Sequence, residues 1–385
     1  SQGYLSAYGG DWDAQGVIEA NGTFTIYTEK LATSNTGFVG NGFVGSITNI
    51  SLIEITDDTN LPRIDYSPYS GAGSCGHWLF EPQSTNLYLY SEPTANEGPG
   101  FLISYESFIW AIGFTSCVKF GDNSAVRYRY GGTVSASTEY TLSAFVIMDD
   151  LSEPIIGGQT SGNDFAFVLG GSVFYNANSS VNMGNNIYRV SVTGTTSASP
   201  GVYNNGIIKF TAQSNKGFRV VGWQLEESSF ATSYIPTQGS TVTRLQEAAF
   251  GAGSSDLINS TEGVLYAEIA ALDDGGTNYK VISVSDGTNN NRTQFSLRLN
   301  AIVAYVSVGG SVQYVHTETV TNILDYHKIA LVYKQNDYKL FINGTMVNSS
   351  ASGNTFPQNT LTELSFTDGV SSNFYGKTKC VAVFK

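Results

Sequence analysis

Carboxylates are the residues of this chain that could hydrolyse a polysaccharide, because that reaction uses two of them roughly 5 to 10 Å apart. Glu226 and Glu227 are adjacent, so a strand would direct them to opposite faces. Three aspartate pairs adjoin turn residues and are typical of solvated loop tips: Asp57-Asp58, Asp149-Asp150 and Asp273-Asp274. Glu262 and Glu268 could share one face of a strand, as could any two strand residues. The sequence therefore predicts no catalytic carboxylate pair.

Histidine, zinc and serine-triad chemistry also lacks a sequence signature. The three histidines fall in different predicted segments: His77, His316 and His327. No nucleophile-elbow motif anchors a serine triad, and no clustered ligands predict a zinc site. A lyase-type base has too many equal candidates, since the chain carries 23 tyrosines. His327 opens a predicted core strand and is interpreted as a packed histidine. We therefore predict a protein that is not an enzyme.

Sugar binding is the better-motivated chemistry, because exposed rings can cover a sugar face while nearby polar side chains hold its hydroxyls. Alternation along residues 126–130 places Tyr128 and Tyr130 on one strand face and two arginines on the other. The simpler interpretation makes the tyrosine face core and the arginine face solvated. The functional interpretation puts both tyrosines, with Trp110, on a concave binding face. Trp223 adjoins apolar residues and is predicted to be core.

The last third of the chain supplies further candidates for carbohydrate binding, and two acidic residues could hold a metal. Arg298, Asn300 and Tyr305 combine a cation, an amide and a ring within eight residues. A structural calcium ion is a separate expectation, because calcium takes loop carboxylates and carbonyls as ligands. Asp122 and Glu226 are candidate calcium ligands by position, although no EF-hand or nonapeptide spacing is present.

The composition predicts β-sandwich domains and excludes several partners. The 385 residues include 42 Gly, 23 Tyr and 22 Phe, with 13% charged residues, as is typical of turns between aromatic-rich strands. The net charge of −13 argues against nucleic acid, because an acidic chain gains nothing from counterion release. No apolar run approaches the roughly 20 residues that would span a bilayer. We expect neither nucleic-acid binding nor membrane insertion.

The N-terminus and the cysteines indicate whether the chain carries a signal peptide or a disulfide framework. The first residues lack the basic start and apolar core of a signal peptide, so we expect the chain to begin inside a longer polypeptide. Cys75, Cys117 and Cys380 form no C-x-x-C pair and predict no disulfide framework. A bridge between Cys75 and Cys117 stays an alternative. Stability must then come mainly from packing.

Hydrophobic alternation predicts strands along the whole chain and no helix longer than a turn or two. Residues 1–60, with strand signals at 23–28 and 46–55, are interpreted as the C-terminal part of a jelly-roll module. Residues 61–92 are a linker and opening motif, residues 93–245 a full jelly roll, and residues 246–385 a second sandwich. The predicted fold class is all-β, with tandem antiparallel β-sandwich (jelly-roll) domains.

Two motifs bracket the central region. The opening motif reads P-R-I-D-Y-S from Pro62, L-F-E-P-Q-S-T-N-L from Leu79, and Y-S-E from Tyr90. The closing motif reads Q-L-E from Gln224, T-S-Y-I-P-T from Thr232, and T-V-T-R ending at Arg244. Residues 45–54 followed by Pro62-Arg63 repeat the closing order in degenerate form. Together the motifs resemble a carbohydrate-binding-like jelly-roll module of bacteriophage fibres and secreted polysaccharide-active proteins.

The last region resembles a different sandwich family. The stretches H-K-I-A-L-V-Y-K from His327 and Y-K-L-F-I-N-G from Tyr338 resemble adjacent strands of a laminin-G/concanavalin-A-like jelly roll. Residues 374–384 resemble its closing strand. The resemblance covers most of residues 245–385.

These resemblances imply a non-enzymatic structural or adhesion protein of a phage virion, a fibre or appendage that presents glycan-binding modules to a host cell surface. Its expected partners are a cell-surface or extracellular polysaccharide, other virion proteins and, by analogy, two further copies in a homotrimer. The alternatives are an accessory carbohydrate-binding region of a secreted polysaccharide lyase or hydrolase, and a bacterial surface adhesin. The expected location is the virion, with secretion or a cell surface as alternatives.

Overall fold

The computed structural model describes residues 4–9, 17–18, 36–41, 44–45, 61–66, 76–95, 97, 100–174, 178–274, 279–368 and 372–385. The chain divides into two compact units, Ser1–Asp58 and Thr59–Lys385. In the first unit, an antiparallel sheet of order β2-β1-β3 contains β1 (Tyr4–Gly9), β2 (Val17–Ile18) and β3 (Thr36–Asn41). The strands predicted at residues 23–28 and 46–55 lie outside the described residues.

Residues 61–92, predicted as a linker and opening motif, contribute three strands: β4 (Arg63–Asp65), β5 (His77–Phe80) and β6 (Ser84–Asn86). β4 pairs with β5, and β5 pairs with the last strand of the chain, with Trp78 opposite Thr378. β6 pairs with a short strand at residues 242–244. The opening motif thus adds two strands to a sheet of the C-terminal sandwich, which the sequence did not indicate.

The central sandwich has two antiparallel sheets. Its strands are β7 (Gly100–Phe101), β8 (Ile103–Ser107), β9 (Ser116–Phe120), β10 (Arg127–Tyr130), β11 (Glu139–Met148), β12 (Ala166–Leu169), β13 (Ser172–Phe174), β14 (Asn178–Asn182), β15 (Tyr188–Thr195), β16 (Gly206–Lys209) and β17 (Phe218–Glu226). One sheet has the order β13-β12-β16-β10-β7 and the other β14-β15-β11-β17-β9-β8. Between them lies a core that includes Phe167, Ile207 and Trp223, which confirms the prediction for Trp223.

The C-terminal sandwich follows β18 (Val242–Arg244). Its strands are β19 (Glu262–Ala271), β20 (Lys280–Ser285), β21 (Arg292–Arg298), β22 (Ala301–Val308), β23 (Ser311–Thr319), β24 (His327–Lys334), β25 (Tyr338–Ile342), β26 (Thr345–Ser350), β27 (Glu363–Ser365) and β28 (Gly376–Phe384). A seven-stranded sheet of order β26-β25-β24-β19-β28-β5-β4 packs against a five-stranded sheet of order β23-β22-β21-β20-β27. The alternating pattern of β24 and β25 places Ile329, Leu331 and Leu340 in the core.

The two bracketing motifs form one buried polar network beside the central sandwich. Glu81 of the opening motif pairs with Arg244 of the closing motif at 3.0 Å and also with Arg63. Glu247 pairs with Arg63 and accepts a hydrogen bond from the Glu81 backbone N–H at 2.6 Å. Arg63 and Arg244, the two arginines of the degenerate repeat, therefore meet at one carboxylate. Removing Glu81 would leave Arg244 without this partner and Arg63 with Glu247 alone, so we expect the loss of this buried carboxylate to be destabilising.

Amide side chains of the same motifs complete backbone hydrogen bonds between distant segments. Asn86 donates from Nδ2 to the carbonyls of Trp223 and Ile235, and its Oδ1 accepts from two backbone N–H groups. Gln224 accepts from the Ile235 N–H at 2.6 Å and donates to Thr232 O. These side chains pair with backbone groups at residues 232–235 of the extended crossing, which lie outside any strand. The motifs are therefore explained by folding, whatever the module binds.

The predicted all-β class with antiparallel sandwiches is confirmed, and no helix occurs in the ranges that the structure describes. In particular, those residues contain no helix that is long and apolar enough to cross a membrane. Cys117 is buried and unbridged, and Cys380 is exposed and unbridged. Cys75 lies outside the described residues.

Candidate functional site

Four polar residues of β21 form a row on the outer face of the C-terminal five-stranded sheet: Arg292, Gln294, Ser296 and Arg298. We call this set the polar row. Their neighbours in sequence, Phe295 and Leu297, are fully buried in the sandwich core. Because side chains alternate along a strand, the four polar side chains share the opposite face. β21 is the middle strand of its sheet, so the polar row runs along the centre of that face.

Strand register places specific neighbours beside the polar row. Gln294 lies opposite Ser283 of β20 and Tyr305 of β22. Ser296 lies opposite Val281 and Val303 in the same strands. Directly opposite residues in an antiparallel sheet have Cβ atoms about 5 Å apart. A ring, a hydroxyl, an amide and apolar side chains therefore meet on a small area.

The centre of the polar row contains buried polar atoms that lack a protein partner. Gln294 is 8% exposed and Ser296 is 1% exposed. Neither Gln294 Oε1 nor Ser296 Oγ forms a hydrogen bond with another described residue. The Nε atoms of Arg292 and Arg298 are also buried and form no hydrogen bond with another described residue. Buried polar groups are normally hydrogen-bonded, so such a cluster is a feature to be explained by water or by a ligand.

Two arginine–tyrosine pairs stand at the ends of the polar row. The Arg292 guanidinium lies over the Tyr305 ring at 5.2 Å from its centroid, and Arg298 lies over the Tyr279 ring at 4.7 Å. Arg298 Nη1 also donates to the Tyr279 hydroxyl at 2.7 Å. Such contacts fix the planes of both guanidinium groups by cation–π attraction. The predicted residues Arg298 and Tyr305 are thus brought together with four residues that the sequence did not single out: Tyr279, Arg292, Gln294 and Ser296.

Asn300, also predicted to bind carbohydrate, lies just beyond this face in the turn between β21 and β22. Its φ of 52° is in the left-handed region that asparagine tolerates. Its backbone N–H donates to Asp274 Oδ1 at 2.7 Å, and its side chain donates to Asp274 Oδ2. Its Oδ1 accepts from the Ile323 N–H at 2.9 Å. These contacts engage the Asn300 side chain in holding the turn.

Tyr128 and Tyr130 lie on the outer face of the central five-stranded sheet, over a floor that contains Ala166, Val168 and Ile208. We call this set, with Phe101, the tyrosine face. The interpretation that made the tyrosines core is wrong. The reversed polarity arises because Arg129, between them, is 1% exposed inside the sandwich.

The rings of the tyrosine face stack on one another. The Tyr128 and Tyr130 centroids are 4.6 Å apart with planes at 18°, and Phe101 and Tyr128 are 5.9 Å apart at 19°. A ring that stacks on its neighbour turns its edge, and not its face, toward solvent. A sugar ring could therefore stack only on the outward face of the first or the last ring of the stack. Position on an outer face agrees with the functional interpretation, but ring orientation does not favour it.

Trp110 is a correction to the sequence-based site. It is 2% exposed and packs with Phe114, Cys117, Phe145 and Val221 in a separate buried cluster. Its ring meets Phe114 edge-on at 6.3 Å. A ring held in this way cannot offer a face to a sugar. Burial among these residues also raises the pKa of the Cys117 thiol to about 11.

The two predicted calcium ligands, Asp122 and Glu226, lie far apart. Phe120 pairs with Phe218 at one end of β17, and Glu226 is at the other end, roughly 25 Å away for eight residues of strand. Asp122 accepts from Ser124 and Arg127, contacts that lower its pKa to about 2. The two residues therefore cannot share one ion.

Glu226 is fully buried and accepts from Ser84 Oγ at 2.6 Å, the Thr232 N–H at 3.1 Å and the Thr232 hydroxyl. Its carboxylate oxygens are thus occupied by protein donors. Among the residues that the structure describes, no group of three or more His, Cys, Asp or Glu side chains is placed to hold a metal ion. A calcium ion elsewhere stays a prediction.

Comparisons with known proteins give low similarities. No family model and no curated protein sequence matches this chain. Sheep galectin-11, solved in complex with glycerol, is 12% identical over 36% of this chain and 97% of its own, with a TM-score of 0.25. The homodimeric agglutinin CG-16 from chicken liver is 11% identical over 36% and 99%, with a TM-score of 0.24. Domains LG4-5 of the mouse laminin alpha1 chain are 8% identical over 85% and 92%, with a TM-score of 0.27.

Proposed function

We propose that this chain is a glycan-binding module without enzymatic activity and that the polar row of the C-terminal sandwich is its binding site. The observation that supports this most directly is the buried pair Gln294 Oε1 and Ser296 Oγ on an outer sheet face, neither of which has a hydrogen-bond partner among the described residues. A serine hydroxyl and an amide match the donors and acceptors of sugar hydroxyls. Tyr305 and Tyr279 supply apolar ring surface at the two ends.

Ligand access in this proposal requires side-chain rotation, because Gln294 Oε1 and Ser296 Oγ are buried. Rotation of exposed side chains is fast, within nanoseconds, and does not move the strands. We expect neighbouring side chains to rotate when a glycan binds, while the proposed binding groups stay on the middle strand of the sheet.

A glycan-binding assay tests the proposed site. The chain is titrated against a panel of bacterial surface and algal polysaccharides, and the Gln294→Leu and Tyr305→Ala variants are compared with wild type. We expect each variant to lose at least tenfold in affinity for whichever glycan binds. Tyr128→Ala, on the tyrosine face, is the matched control and should bind as wild type does. Loss of binding in Tyr128→Ala with normal binding in Gln294→Leu would move the site to the central sandwich.

Catalysis is tested in the same wells. New reducing ends would indicate a hydrolase, and new unsaturated ends a lyase. We expect neither, because the sequence offers no catalytic carboxylate pair or triad. Appearance of either product would overturn the non-enzymatic part of the proposal. It would favour the alternative that this chain belongs to a polysaccharide-degrading protein.

The proposed setting is a phage virion, in which this chain belongs to a fibre or appendage that contacts polysaccharide on a host surface. The two bracketing motifs, the tandem sandwiches and the acidic composition support this setting. Contact with other virion proteins and assembly as a homotrimer belong to the same proposal. The alternatives, a secreted enzyme's accessory region and a bacterial adhesin, predict a different location. Antibody labelling of purified virions against culture supernatant and cell surface distinguishes the three.

A further inference from the structure

The two arginines of the polar row differ from the other six arginines in the groups that they contact. Four of the eight arginines form salt bridges with carboxylates: Arg63, Arg127, Arg219 and Arg244. Two others donate to backbone carbonyls, namely the buried Arg129 and the partly buried Arg189. Arg292 and Arg298 remain, and neither has a carboxylate oxygen within 4.0 Å among the described residues. Both belong to the polar row.

Arg292 and Arg298 lack such a partner in a chain whose acidic residues outnumber Lys and Arg by 32 to 19. Arg292 reaches only the carbonyl oxygen of Asp368, at 3.5 Å, besides its contact with the Tyr305 ring. Arg298 has the Tyr279 ring and hydroxyl. The groups that contact the two guanidinium groups in these pairs are neutral, so each guanidinium can bind an anionic group of a ligand.

We propose that the ligand of the polar row is an acidic polysaccharide whose carboxylate or sulfate groups bind Arg292 and Arg298. This inference rests on the proposed glycan-binding function of the same face and adds the chemical class of the ligand. The two arginines are six positions apart along β21, which places their Cα atoms roughly 20 Å apart. Gln294 and Ser296 lie between them. The row therefore matches a chain with anionic groups at intervals and neutral hydroxyls between them.

The inference can be tested by measuring how binding depends on salt concentration, because the proposed contacts are electrostatic. The net charge of −13 repels an anionic polymer at long range. Attraction must come from the two arginines at contact distance. Because about 8 Å is the screening length at physiological ionic strength, the two arginines act as separate contacts. Each should contribute its own share of affinity, and each share should shrink as salt rises.

A dextran series with one backbone provides the probes. Neutral dextran, carboxymethyl-dextran and dextran sulfate are each titrated into the full chain by calorimetry at 50 and 500 mM salt, and the second and third arms distinguish carboxylate from sulfate. We expect at least one anionic dextran to bind tenfold more tightly than neutral dextran at low salt. Arg292→Gln and Arg298→Gln should each reduce that preference, and the double variant should abolish it.

Lys328→Gln is the matched control, because Lys328 is an exposed cation of β24 in the other sheet of the sandwich. It should keep the full preference. Thermal unfolding of each variant within a few degrees of wild type verifies folding, and Arg298→Lys tests for the guanidinium fork, with partial loss expected. Equal binding of neutral and anionic dextrans, or an unchanged preference in the double variant, would overturn the inference.

Failure of the inference and failure of the proposed function give different results. If a neutral glycan from the polysaccharide panel binds through Gln294 while neither anionic dextran binds, the acidic-ligand inference fails and glycan binding stands. If no panel glycan and none of the three dextrans binds, both fail.

Discussion

The two five-stranded sheets place their charged and aromatic residues on opposite faces. In the C-terminal sandwich, Phe295 and Leu297 of β21 point into the core and the arginines of the polar row point out. In the central sandwich, Arg129 and Lys209 point into the core, whereas Tyr128 and Tyr130 point out. The comparison shows that strict alternation fixes which residues share a face but not which face is buried.

Acceptors from distant loops allow the central sheet to bury two cations. Arg129 Nη2 donates to Glu97 O at 3.1 Å, and its guanidinium lies 4.9 Å from the Trp223 ring centroid. Lys209 Nζ donates to Asp164 O at 3.1 Å and Ser214 O at 2.8 Å. A buried cation is tolerated where carbonyls and rings replace its water. The inner face of β21 instead packs in an apolar core through Phe295 and Leu297, and its arginines lie on the outer face.

Among the variants that test the difference between the two sheets, Arg129→Ala should have the largest effect on stability. It removes a buried guanidinium, leaves carbonyls without a donor and opens a cavity under Trp223, so we expect a loss of about 3 kcal/mol in the free energy of unfolding. Arg298→Ala, on the outer face of the other sheet, should cost less than about 1 kcal/mol. Denaturant titration of both variants measures the difference. Similar losses in the two would mean that both arginines play the same role.

Lys209 should make the stability of the central sheet depend on pH. Burial lowers the pKa of Lys209 from 10.5 to about 8. Between pH 8 and pH 10 the unfolded chain therefore binds the proton that the folded chain has released, and the free energy of unfolding rises with pH. We expect up to about 1 kcal/mol per pH unit from this residue. Lys209→Met should flatten that rise, as measured by denaturant titration at each pH, and an unchanged slope would contradict a buried, proton-releasing lysine.

Tyr130→Ala should separate stability from binding on the tyrosine face. The variant loses the stack on Tyr128 and exposes the floor at Val168, so we expect about 1.5 kcal/mol of destabilisation. Glycan affinity should stay within twofold of wild type. A large loss of affinity without a loss of stability would show that the pile of rings is itself a binding surface.

Gln294→Leu should have the smallest effect on stability and the opposite sign. It removes a buried amide oxygen that has no partner, so the free energy of unfolding should rise by about 0.5 kcal/mol while glycan affinity falls. Gln213→Leu is the matched control, because Gln213 is also buried but accepts from the Phe210 N–H and donates to the Gly157 and Gly158 carbonyls. That variant should be destabilised by about 2 kcal/mol. Destabilisation of Gln294→Leu to the same extent would indicate a structural role.

Much of the fold follows from local sequence, and much of the site does not. The alternation in β24 and β25 predicted strands and their buried faces, because one face of each is continuously apolar. Arg298 and Tyr305 were predicted by residue type. Gln294, Ser296 and Arg292 were missed, since a short polar strand residue gives no local sign of whether a distant segment supplies its partner.

Trp110 and Glu226 were misplaced for the same reason. A tryptophan in a short loop segment can be exposed or covered, and here Phe114 and Phe145 cover it. Glu226 could have been a free carboxylate, but Ser84 and Thr232, 142 and six residues away, occupy it. The resemblance of the bracketing motifs indicated a module and gave no indication that the opening motif would supply β4 and β5 to another sheet.

The position of β4 and β5 determines how tension would pass through this chain. Force applied at Leu61 and at Lys385 enters one sheet through β4 and leaves it through β28, with only β5 between them. β4 and β28 run in the same direction, so the load shears the ladders along the strands instead of unzipping them one hydrogen bond at a time. The force would be transmitted through the hydrogen bonds of the short β4–β5–β28 ladder. The central sandwich would not be stretched as long as that ladder holds.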